Sequence, residues 1–81
     1  MDEKDILEQI QSLVTREHDL RSKSENGEIP HDQERTQLKQ LEESLDQAWD
    51  LLRQRRARRE YGQDPDDSET RPVDEVEKYL Q

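Results

Sequence analysis

Leu38-Lys-Gln-Leu41-Glu-Glu-Ser-Leu45-Asp-Gln-Ala48-Trp49-Asp-Leu-Leu52 decides the fold. Leu38, Leu41, Leu45, Ala48 and Leu52 alternate steps of three and four, which is the seam of a coiled-coil-like helix. Trp49 flanks that stripe and Leu51 falls to one side. Neither Gly nor Pro interrupts the chain from His31 to Tyr61, and Leu, Gln, Glu, Arg and Ala, all good helix formers, dominate it. The spacing predicts a helix from about Pro30 or Asp32 to Glu60, stopped by Gly62.

Upstream, Ile6, Leu7, Ile10, Leu13, Val14 and Leu20 recur at helical spacing and predict an amphipathic helix over Asp2 to Lys23. Asp2, Glu3 and Asp5 load its first turn with negative charge, which suits the positive end of the helix dipole. Between the two helices lies Ser24-Glu25-Asn26-Gly27-Glu28-Ile29-Pro30. Asn-Gly marks a turn, and Pro30 fits the first turn of the next helix.

A loop this short makes the helices antiparallel. Leu20 then meets Leu38, Leu13 and Val14 meet Leu41 to Leu45, and Ile6 meets Trp49 to Leu52. The same register brings Asp2, Glu3 and Asp5 beside Arg53, Arg55, Arg56 and Arg59. Two independent patterns, apolar and charged, agree on one hairpin spanning residues 1–60.

Residues 61–81 form an acidic connector and a short tail. Glu60 to Gln81 carries eight acidic residues against two basic ones. Val73, Val76 and Leu80 allow a short amphipathic helix that must dock to persist, since so short a helix is unstable alone.

Composition sets the limits. Of 81 residues, 26% are hydrophobic and 43% charged, with a net charge of -9, so patterning has to carry the fold. There is no Cys, which excludes disulfides and thiolate chemistry. The longest apolar runs are pairs such as Leu51-Leu52, far short of a membrane span, so the expected setting is the cytoplasm without membrane contact. The acidic balance disfavours nucleic acid as a partner.

About a dozen apolar side chains at roughly 1.5–3 kcal/mol each fall short of ~1–2 kcal/mol per residue of backbone ordering. The first helix also carries an apolar stripe about 140° wide, broader than one facing helix covers. A second copy, the C-terminal helix or another protein should cover the rest. Self-association into a helical bundle is the expectation.

Little here carries chemistry. His18 and His31 are not a helical ligand pair, and a metal site needs three or four convergent ligands. Glu17 sits in the first helix's stripe and is expected to pair with Lys39 or Arg35. No phosphate loop, nucleophile–base set or paired-carboxylate motif is present, so no catalytic residue, cofactor or metal is expected, and the chain reads as a non-enzyme. The one candidate interaction patch is Arg53, Arg55, Arg56, Arg58 and Arg59, five of the 13 basic residues within seven positions. It could dock an acidic protein surface or, as the alternative, contact nucleic acid or RNA polymerase.

Leu45-Asp-Gln-Ala-Trp-Asp-Leu-Leu-Arg-Gln-Arg-Arg-Ala-Arg-Arg-Glu-Tyr-Gly-Gln-Asp-Pro65, with Arg71-Pro-Val-Asp-Glu-Val-Glu-Lys-Tyr-Leu80, resembles a family of short actinobacterial proteins known only as a domain of unknown function. The resemblance covers nearly the whole chain. It implies a bacterial cytoplasmic origin and brings no activity, cofactor or catalytic residue. The expected role is a structural or protein-interaction module.

Overall fold

The computed structural model describes residues 2–80, with side chains through Lys78. It contains α1 (Glu3–Glu25), α2 (His31–Glu60), a 3₁₀ turn (Pro65–Asp67) and α3 (Val73–Leu80), with no strand among the described residues. Leu80 of the tail stripe has its side chain outside the described residues.

The start of α1 is built from its acidic residues, though not as the register suggested. The Asp2 carboxylate accepts the Asp5 N–H at 2.9 Å, and the Asp5 carboxylate accepts the Asp2 N–H at 3.4 Å. This capping box satisfies donors that a helix start leaves open. The Asp5 N–H also holds the Asp2 carboxyl below its usual value. Only Glu3 of the three acids reaches the arginines by hydrogen bond.

The other end of α1 runs two residues beyond the expected stop. Glu28 N–H returns to the Lys23 carbonyl at 2.9 Å, closing the helix through Gly27 at φ 75°. Asn26 stays at φ -82°, so one residue of the Asn-Gly pair supplies the left-handed step. Ser24 is buried in the last turn, its Oγ 3.2 Å from Nδ1 of His31. Pro30 is the N-cap of α2, just outside the helix.

α1 and α2 pack as the expected hairpin. Ile6, Ile10, Ala48, Leu51 and Leu52 form its core, with Leu45 against it. Leu13 and Leu20 are also buried. Leu38 and Leu41 are half-buried. Three expected seam residues are corrections: Leu7, Val14 and Trp49 remain 42%, 51% and 41% exposed. A single facing helix covers only part of the wide α1 stripe, so Leu7 and Val14, together on its uncovered edge, stay in water. Leu51, expected off to the side, is buried instead. Glu17 is a further correction. It pairs with Arg21 one turn on, at 2.9 Å, and not with Lys39 or Arg35.

Among the described residues α3 packs on α2 and not on α1. At about 100° per residue, the α2 positions that hold the tail (Gln47, Asp50, Gln54) point roughly opposite to Leu45 and Leu52. The helices therefore lie side by side, α1–α2–α3, in a slab with extents of 50 × 25 × 14 Å.

Candidate functional site

Three surfaces of this slab merit description: its arginine-rich end, the α2 face under the tail, and the open apolar face.

At the arginine end, Glu3 is clasped by Arg56 Nε at 2.8 Å and Arg59 Nη2 at 2.9 Å. These donors hold the Glu3 carboxyl below its usual range. Arg55 turns away from the N-terminus. Its Nη1 donates to the Asp66 carboxylate at 3.0 Å and to the Pro65 carbonyl at 3.3 Å, and its side chain is only 12% exposed. Arg53 and Arg58 make no ion pair among the described residues. The patch is thus three arginines spent on the fold and two that are not.

The face of α2 under the tail is the feature that sequence reasoning missed. Asp50 is 2% exposed and takes both Nε (2.8 Å) and Nη2 of Arg71. Gln54 Nε2 adds a third donor at 2.9 Å. Arg71 first, then burial opposing it and Gln54 aiding it, set the Asp50 carboxyl below its usual value. Around this clamp, Gln47 donates to the Arg71 carbonyl at 3.1 Å and Gln54 to the Glu69 carbonyl at 2.8 Å. With Arg55 on Pro65, three α2 side chains hold three main-chain carbonyls of the segment that leads into α3. Gln47, Asp50 and Gln54 recur at helical spacing, but a polar stripe looks like a solvated face in sequence.

Farther along the same face, Glu77 of α3 meets Asp46 of α2. Glu77 Oε1 is buried with no hydrogen-bond partner. Asp46 within hydrogen-bonding reach, burial, and the nearby charges of Glu43 and Glu42 push the Glu77 carboxyl above its usual value.

The third surface is a broad face of the slab. At about 100° per residue, Leu7 and Val14 turn from α1 toward the side to which Trp49 turns from α2. Two contacts across the hairpin bracket them there: Glu3–Arg56 and the looser Arg21–Glu42 at 3.9 Å. The opposite broad face carries a shallow groove of about 450 Å³ over Leu13, Leu20 and Leu41, rimmed by Arg16, Asp19 and Lys23. No group of three or more metal-ligating side chains is gathered among the described residues. Among the described residues no helix is long and apolar enough to cross a membrane.

An all-α hairpin with a strapped-down tail is the class that this architecture defines. The chain belongs to the family described as "Protein of unknown function (DUF2630)", whose profile matches residues 2–81. It is similar to Uncharacterized protein Mb0922c of Mycobacterium bovis and to Uncharacterized protein Rv0898c of Mycobacterium tuberculosis. Each is 47% identical over 75 residues, covering 93% of this chain and 86% of the relative. No solved structure matches. The actinobacterial resemblance is therefore the right one.

Proposed function

We propose that the protein is a non-enzymatic interaction module that self-associates through the face bearing Leu7, Val14 and Trp49. The observation that carries this reading is the exposure of three large apolar side chains on one side of a slab one helix thick. Domains bury their cores between two layers of secondary structure, and a single layer leaves half of its apolar surface wet. A second copy supplies the missing layer at no cost in new sequence. The broad face, 50 × 25 Å between Cα extremes, exceeds the ~800 Å² that a standard interface takes from each partner. The ion pairs at its edges give a polar rim, as interfaces require.

The non-enzymatic part rests on the sequence, in which no phosphate loop, nucleophile–base set or paired-carboxylate motif can be picked out. A cytoplasmic setting, proposed with it, fits the cysteine-free composition. The phosphate-contacting alternative loses three of its five arginines to Glu3 and Asp66.

Light scattering across a concentration series tests the proposal. The wild-type chain should give the mass of a dimer, and Val14→Glu, at an exposed position, should give a folded monomer of unchanged helicity. A wild-type monomer at high micromolar concentration overturns it, and so does a Val14→Glu dimer.

A further inference from the structure

The proposal about the broad face leaves the tail unused. Its attachment is unusual because it rests on polar groups. α3 is eight residues long, and such a helix does not hold itself together in water. It persists because Val76 is buried on α2 (1% exposed) and because Asp50, Gln47, Gln54 and Arg55 grip the segment before it. Where α3 itself crosses α2, one contact works against docking. Glu77 approaches Asp46, with Glu42 and Glu43 close by, and a buried carboxylate oxygen of Glu77 faces no donor.

Two ionised carboxylates offer acceptors only, so their contact is repulsive and unsatisfied. Adding one proton to Glu77 changes its chemistry. The resulting O–H donates to Asp46, removes one of the two clashing charges and satisfies the pair. Among the described residues α2 is the helix packed against α3, and the charges it brings to Glu77 include those of Asp46, Glu42 and Glu43; along α3 itself stand Asp74, Glu75 and Lys78.

We propose that segment 64–78 is a proton-operated latch, closed over α2 when the Glu77–Asp46 contact holds a proton and lifted when both carboxylates are ionised. The direction follows from linkage. A carboxyl that binds its proton more tightly when docked adds stability below the pKa of the free group, and that stability fades as pH rises through the docked value. Gly62, at φ 73° with open space around it, stands at the hinge between α2 and the segment. Lifting uncovers Asp50 and Arg55 on α2 and leaves the α1–α2 core in place, because among the described residues α3 packs on α2 and not on α1.

Amide hydrogen exchange of the full chain, corrected for intrinsic rates, reads the latch at Val76 and the hairpin at Ile10. Between about pH 4.5 and about pH 8, protection at Val76 should fall by roughly threefold to tenfold while protection at Ile10 is kept. Glu77→Gln should stay protected at Val76 throughout, because an amide donates to Asp46 at any pH. Arg71→Gln should be unprotected at Val76 at both ends, which shows that release is visible. Constant protection in the wild type overturns the proposal, as does a pH response that survives in Glu77→Gln. The readout is independent of self-association, since the Val14→Glu background should show the same response.

Discussion

Asp50 is the residue on which the molecule's second half depends. A carboxylate 2% exposed must keep its donors, and Arg71 and Gln54 supply them. Because both partners are charged and hydrogen-bonded, truncating either one should cost about 1.5–3 kcal/mol. Removing Arg71 leaves the buried anion behind, whereas removing both removes the problem as well. In urea titrations monitored at α3, Asp50→Ala/Arg71→Ala should therefore cost less than the sum of the single variants. A sum that is strictly additive would show that the pair does not act as a unit. The acid limb has the opposite sign to the latch. Asp50 and Glu3 have lowered carboxyl values, so what they add is present above the ordinary carboxylate range and is lost as pH falls through those lowered values.

At the scale of elements, α1 and α2 were legible because each announces itself twice, in apolar spacing and in terminal charge. Their antiparallel order was legible from the shortness of the loop around Asn26-Gly27. What was not legible is how much of the α1 stripe one neighbour would cover. Six apolar positions mark a face, yet spacing holds no information on how far the partner's side chains reach. Leu7 and Val14 were lost there, and Trp49 with them. The docking of α3 was hidden for another reason: its receptor on α2 is Gln47, Asp50 and Gln54, residues whose ordinary place is in water. The arginine run was read half correctly. Glu3 found Arg56 and Arg59, but Asp2 and Asp5 had a nearer use at the cap, which left Arg55 to Asp66. The loop makes a testable demand. Gly27 sits at φ 75° with nothing near its Cβ direction, so Gly27→Ala meets strain without a clash. Thermal unfolding should show a loss of about 1–2 kcal/mol. A neutral result would mean that the closing turn tolerates another backbone path.

The whole molecule is one layer thick, and its stability should accordingly depend on how much of it is present. If the second layer is another copy, folding and association are linked by mass action, and the unfolding midpoint rises with protein concentration. Scans over a hundredfold dilution should show that rise in the wild type and a flat midpoint in Val14→Glu. A concentration-independent wild type would leave the slab to stand alone.

The tie between Glu3 and Arg56 spans 53 residues of sequence, while Ser24 and His31 at the tip are separated by only seven. Contacts of the hairpin thus come in graded order, short at the loop and long at the open end. Each rung that forms shortens the free chain that the next must close, so the search never has to find a distant partner unaided. The two helices should zip from Gly27 outward. Pulled apart at the arginine end, they should peel one rung at a time under low force, with the Glu3 clasp the first bond to part and the last to form.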